Sequence, residues 1–359
     1  MTLSQDILAE LAEIAPDSAL AAARAVREAA TRHAQGSYET LFGQQDNDFP
    51  LDERFAVAKL HESDALAAHY AGFGIADPTS PRLAPALAFA RLLTFTPVEA
   101  TPSALEALIR AGWSLRGIVT LAQLIAFVSF QSRLVVGLRL LNGKNIHVAQ
   151  TPTVAGFWHT SPQTISGKKA PVHFTRDELH WEPWLAAKPL AEFTPDEQAL
   201  LAKFGHSDSP YFRLLARNLP LLEQRTLTDK GIFYTPGGLP RAERELAATV
   251  ASKINGCIYC ASVHARKAAQ LAKDETAIET LLAVTPGEQL SDGQTPGWQA
   301  QIDFAAAISV TPPALSVDHL AAVEQQGLDT LAQLDLLQSA AFFAWANRLM
   351  LTLGEPWQE

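Results

Sequence analysis

The sequence predicts an all-α protein, and three observations carry that prediction. Leu246, Val250 and Ile254 recur every four residues as one apolar helical stripe. Long apolar, helix-prone segments run from Leu121 to Leu141 and from Leu334 to Leu353. Shifting the chain by 215 residues against itself superposes the two series, with fourteen of fifty positions identical over residues 89–138 and no gap. No convincing alternating strand is visible in either copy, so duplicated helical domains are the predicted architecture.

Each copy reads as helix, turn, helix, turn, helix. Phe89-Ala90 matches Phe304-Ala305, and the segment then breaks at Thr96-Pro97 or Thr311-Pro312, where proline disfavours helical geometry in the residue before it. Leu105, Leu108 and Ile109, or Leu320 and Val323, carry helical spacing up to Gly112 or Gly327, each suited to a C-terminal cap. Gln123, Phe127, Arg133-Leu134 and Leu138 recur as Gln338, Phe342, Arg348-Leu349 and Leu353 in the third, longest segment. Arg133 and Arg348 are expected to make an ion pair or helix-end contact. The predicted division is a helical domain over 1–143, an irregular connector over 144–195 with several prolines and Trp158, Trp181 and Trp184, and a second helical domain over 196–359.

The bulk composition limits the function. At 359 residues the chain can bury the core of two ordinary domains. With 28 basic and 38 acidic residues the net charge is −10, which repels phosphate backbones, and no basic patch offsets it. Nucleic acid is therefore excluded as a partner. Gly117 to Phe130, the most apolar stretch, is too short for a membrane span, and Met1-Thr-Leu-Ser lacks the basic start of a secretory signal. A cytoplasmic location is the expectation, and there two cysteines point to redox or metal chemistry rather than a structural crosslink.

Both cysteines lie in Cys257-Ile-Tyr-Cys260-Ala-Ser-Val-His264. Pro240 with Glu243 and Glu245 marks a helix start, Asn255-Gly256 a break, and a second helix runs from Cys257 to about Lys273. Cys257, Cys260 and His264 then share one face. The helix N-terminus favours a thiolate at Cys257, whereas His264, one turn beyond Cys260, can take that thiol's proton. If the two helices fold back on each other at about 1.5 Å per residue, Glu245 stands beside His264 and completes a relay from Glu245 through His264 to Cys260.

This Glu-x11-Cys-x2-Cys-x3-His motif, with its Asn-Gly approach, resembles the AhpD-like alkylhydroperoxidases of the carboxymuconolactone decarboxylase superfamily. The resemblance covers roughly residues 200–359 and, more loosely, the N-terminal half. It implies an all-helical fold, Cys260 as the peroxide-attacking thiol, Cys257 as its resolving partner, and His264 with Glu245 as the proton relay. It also implies an organic hydroperoxide substrate, reduction by an external dithiol, no bound metal or organic cofactor, and assembly into homo-oligomers. One departure stands before the second cysteine: Tyr259 replaces the histidine of the best-known members, and it is expected at the substrate pocket.

Three rival readings remain distinct in chemistry. A zinc site lacks a second cysteine pair, and His206 and His319 have no ligand spacing. A lactone-processing enzyme of the same superfamily would not need the dithiol. A redox sensor would use the disulfide to alter partner binding. In the N-terminal copy His61 and His69 fall roughly where the thiol motif should be, and with no cysteine there that copy is expected to be structural.

Overall fold

A computed structural model describes residues 5–60, 64–74, 76–77, 79–144, 161–285 and 287–359. Its N-terminal half contains α1 (Ile7–Leu11), α2 (Ala19–Val26), α3 (Glu28–Phe42), α4 (Leu51–Ala58), α5 (Asp64–Ala71), α6 (Leu83–Phe95), α7 (Pro102–Arg110) and α8 (Leu115–Leu141). The strand β1 (His180–Pro183) follows in the connector. The C-terminal half contains α9 (Pro195–Phe204), α10 (Pro210–Leu215), α11 (Leu219–Phe233), α12 (Arg241–Asn255), α13 (Ile258–Ala272), α14 (Glu275–Ala283), α15 (Pro296–Ser309), α16 (Val317–Gln325), α17 (Thr330–Leu353) and the strand β2 (Gly354–Trp357). The fold is all-α apart from one minor sheet.

That sheet corrects the expectation of no strand in either copy. β2 belongs to the C-terminal copy and pairs antiparallel with β1, placing Trp181 opposite Pro356 and Glu182 opposite Glu355. Four residues interrupted by proline carry no legible alternation, and the pairing exists because the connector is held against the end of α17. Trp184 donates its backbone N–H to Leu353 O, and the Trp181 indole donates to Met350 O.

Helix boundaries follow local chemistry. Ser114 accepts from the Gly117 amide to start α8, and Asp329 accepts from the Ala332 amide to start α17, so both long helices begin earlier than their apolar runs suggest. At 27 residues, α8 is long and apolar enough to cross a membrane by length and composition, which corrects the estimate from its shorter apolar stretch. Its most apolar window is 83% buried inside the protein, so α8 forms the centre of the core.

The two halves share that core. α8 packs along α17, α3 along α11, and the buried apolar side chains form one continuous cluster. At the α8–α17 contact, Trp345 is fully buried with its ring edge-on to Phe127, and its indole N–H donates to Gln123 Oε1 at 2.7 Å. Where α3 meets α11, Gly231 faces the backbone of Ala29 and Ala30 so closely that a Cβ would overlap it.

Arg133 and Arg348 exchange contacts between halves. Arg133 donates to Ser309 O at the end of α15, and Arg348 donates to Thr94 O near the end of α6. Each also donates to the carbonyl four residues earlier, Ser129 O or Ala344 O, and both reach Thr311 Oγ1. These are helix-end contacts. Upstream, Arg54 in α4 donates to Phe49 O and Leu41 O, as Arg244 in α12 does to Leu239 O and Ile232 O. Pro50, Glu53 and Arg54 thus stand 190 residues before Pro240, Glu243 and Arg244.

A buried carboxylate fixes the start of α12. Asp335, fully buried in α17, receives Arg27 Nε at 2.7 Å, Arg27 Nη2 at 2.9 Å and Arg244 Nη2 at 3.2 Å, and it accepts from the Leu239 amide at 2.9 Å. Both arginines also hold Gly237 O. Asp335→Asn keeps the shape but leaves two buried guanidiniums without their counter-charge, and it is expected to cost about 3–5 kcal/mol of stability. Urea unfolding checks this; an unchanged midpoint would contradict the clamp.

Candidate active site

The site is the hairpin of α12 and α13. α12 ends at Asn255, and Gly256 takes the left-handed conformation (φ 78°) that lets the chain reverse. The Gly256 amide bonds to Lys253 O and the Cys257 amide to Ser252 O, closing the helix end. Cys257 is then the N-cap of α13, and Lys273 caps its far end, within a residue of the bounds read from sequence. The hairpin brings together all four residues singled out above.

Glu245, 2% exposed, meets His264 with Oε2 2.6 Å from Nδ1. Its other oxygen, Oε1, accepts from Arg241 Nε and Nη2, both at 2.7 Å. Because the carboxylate occupies Nδ1, Nε2 is the nitrogen left to exchange a proton with the thiol one turn earlier on α13. Burial works against the imidazolium, but the hydrogen bond and charge of Glu245 override it and raise the His264 pKa above its ordinary value. Burial likewise opposes ionised Glu245, and His264 with Arg241 holds its pKa below the usual range. The Phe343 ring stands edge-on to the imidazole at 4.3 Å.

Both thiols are free and buried. A hydrogen bond from Cys257 is the largest influence on Cys260; together with the His264 and Arg225 charges and the Asn347 side chain it lowers that thiol's pKa despite burial. Cys257 is pushed well above its ordinary value, first by burial and then by the neighbouring Cys260. Its sulfur does accept from the Cys260 backbone amide, so the helix N-terminus acts on Cys257 as expected. Burial outweighs that pull, so of the two thiols Cys260 is the one whose ionisation is favoured.

Several neighbours were not singled out in the sequence. Asn347, fully buried in α17, touches both sulfurs and is held by Ser252 Oγ and the Asn255 side chain, each at 3.0 Å. Its position before Arg348, in an otherwise apolar run, was the available signal. Arg225, which is buried, and Asp229, one turn further along α11, add two ionisable groups to this side of the relay. The Arg225 guanidinium lies 5.2 Å from the Phe342 ring centre, and its Nε has no hydrogen-bond partner among the described residues. Burial raises the Asp229 pKa against the pull of Arg225 and His264. Arg241 could have been found as the cation four residues before Glu245.

Tyr259 faces a cavity that also reaches Cys257 and is otherwise formed by the connector, the start of α7 and the end of α17. Among the described residues no three His, Cys, Asp or Glu side chains gather as a metal-ligand set. In the N-terminal half, the 190-residue offset places Phe55, Ala67, Tyr70 and Gly74 at the positions of Glu245, Cys257, Cys260 and His264. Phe55 stacks on Phe73 at 4.3 Å, and His69 contacts Tyr38 Oη at 3.1 Å, so aromatic packing fills that region. His61 lies outside the described residues.

A fully helical hairpin presenting two buried thiols to a carboxylate–imidazole pair defines a class of helical dithiol proteins. Residues 220–286, from α11 to just past α14, match the model of the carboxymuconolactone decarboxylase family. A comparison with curated proteins returns no match.

The charge assignment has a direct readout. Thiolate predominates only above a thiol's pKa, so alkylation of Cys260 is expected to rise with pH through a midpoint below the ordinary 9.0. Cys257 is expected to react only at higher pH. His264→Asn or Arg225→Met removes a neighbouring positive charge and should move the lower midpoint up by about one pH unit. Two thiols sharing one midpoint, unmoved by either variant, would contradict the assignment.

Proposed function

We propose that the protein is a thiol-dependent peroxidase that reduces organic hydroperoxides through Cys260 and Cys257. The observation that carries this reading is the 2.6 Å contact between Glu245 and His264 beside a thiol pair in which ionisation is favoured at Cys260. The Cys260 thiolate attacks the terminal peroxide oxygen; an S–O bond forms, the O–O bond breaks, and the alkoxide takes a proton from the His264 imidazolium to leave as alcohol. Cys257 sulfur then attacks the sulfenic acid, forming the disulfide, while hydroxide departs with the Cys257 proton as water. An external dithiol restores both thiols by exchange and is itself oxidised.

Glu245 acts behind the imidazole. It fixes the ring through Nδ1 and supports its charged form, while Arg241 occupies the second carboxylate oxygen. Asn347 donates toward the sulfurs and favours the thiolate. This chemistry requires neither a metal nor a bound organic cofactor, and we place it in the cytoplasm. The family description also carries lactone decarboxylation; that reading leaves the cysteines without a task, and turnover of a muconolactone by a variant lacking both would favour it.

We further infer that the chain is a fused duplicate in which only the C-terminal half keeps the site. The similar lengths of α6 and α15 and of α7 and α16, the reciprocal Arg133 and Arg348 contacts and the paired Arg54 and Arg244 contacts support this. Such a fusion would let one chain stand in for two subunits of an oligomer.

Cys257→Ser should form a sulfenic acid at Cys260 on one equivalent of cumene hydroperoxide, trapped by a dimedone-type reagent, without sustained turnover. Cys260→Ser should release no alcohol. Full alcohol release by Cys260→Ser would remove Cys260 from the reaction.

A further inference from the structure

The cavity beside Cys257 is built largely by parts of the chain that the thiol relay does not use. It holds about 210 Å³ and is lined by Trp181, Trp184 and Ile165 of the connector, Met350 of α17, and Glu355 of β2. An apolar cavity of about 150 Å³ suffices to bind benzene, so this one has room for a substituted ring. Its walls are fixed by hydrogen bonds: the Trp181 indole donates to Met350 O at 3.1 Å and the Trp184 indole to Glu355 Oε1 at 3.0 Å. The Ile165 amide donates to the same carboxylate oxygen at 2.8 Å. The connector is in turn tied to α13 through Ser262 Oγ and Arg266, both of which bond to Asp177 O.

The charge of the lining is one-sided. Among the described residues around the cavity there is no lysine, arginine or histidine, and Glu355 is the one carboxylate. An anionic ligand would lose its hydration without gaining a counter-charge and would meet Glu355. A neutral ring would lie against two fixed indoles, a thioether and aliphatic groups.

We propose that this cavity is a charge-selective binding site for neutral, ring-sized apolar molecules, with Trp181 and Trp184 as its walls and Glu355 as the group that turns anions away. Its link to catalysis rests on the peroxidase reading. Cys257 lines the cavity and its thiol bonds to Cys260, so a hydroperoxide seated by its carbon skeleton has its O–O group on the Cys257 side of the pair, one sulfur away from Cys260.

The test uses the reduced full-length protein and no peroxide, so it stands or falls separately from turnover. Titration calorimetry would compare cumyl alcohol, a neutral aromatic probe, with 4-isopropylbenzoate, an anion of similar size. The neutral probe is expected to bind at least about tenfold more tightly, roughly 1.4 kcal/mol. Ala170→Phe, which fills the cavity from the connector, should abolish that binding with both thiols still titratable. Glu355→Gln keeps an oxygen for the Trp184 and Ile165 donors while removing the charge, and should bring the anion within about threefold of the neutral probe. Equal affinity for both probes in the unmodified protein, or neutral-probe binding that survives Ala170→Phe, would overturn the proposal. If the neutral probe binds as expected while hydroperoxide leaves the thiols untouched, the cavity stands and the peroxidase reading falls.

Discussion

The site depends on a carboxylate that takes no part in it. Asp335 sits in the shared core, beneath the loop that delivers the chain to α12, and gathers Arg27 from the N-terminal half and Arg244 from α12 itself. Removing that charge from water is costly, and it is offset only because the two guanidiniums and the Leu239 amide all point at it. Arg244 precedes Glu245 by one residue. The clamp therefore sets where α12 begins, and with it the height at which Glu245 meets His264 on the returning helix. Lys253 serves the far end of the hairpin similarly: fully buried, it donates to Leu281 O, Leu282 O and Val284 O, closing the C-terminus of α14.

Within this frame, two electrostatic effects compete for the thiol charge. The helix N-terminus favours Cys257, and its sulfur does receive an amide there. A helix end is worth about 0.3–1 kcal/mol in most settings, whereas withdrawing an ionised group from water costs several kcal/mol. Cys260 is as buried, but it gains a hydrogen bond from Cys257, the charges of His264 and Arg225, and Asn347. The site thus separates two neighbouring thiols of the same type, easing ionisation at Cys260 and opposing it at Cys257, the division a stepwise peroxide reduction requires.

Much of this was legible in the sequence because it is local. The Asn255-Gly256 break, the helix bounds around it and the one-turn spacing of Cys260 and His264 follow from residue types and helical period alone. The placement of Glu245 needed only the assumption of an antiparallel hairpin. The helix-end role of Arg133 and Arg348 was among the alternatives that the 215-residue repeat suggested. What escaped was non-local. Asn347, Arg225 and Asp229 reach the site from α17 and α11; the apolar run around Asn347 marks it as unusual, but nothing local says which site any of the three would face. The cavity is assembled from four distant stretches, and the strands that close it are too short for any periodicity to register. The matching of Arg54 with Arg244 was hidden for a different reason: the offset falls from 215 to 190 upstream of the segment containing α14, so an ungapped comparison loses it.

The most direct measurement of the central claim is a free-thiol count on the reduced, unmodified protein before and after one equivalent of cumene hydroperoxide, with the alcohol quantified in parallel. Loss of both thiols with one equivalent of alcohol is the predicted result, since Cys260 would be oxidised and Cys257 would close the disulfide. Two surviving thiols with the hydroperoxide unconsumed would contradict the account.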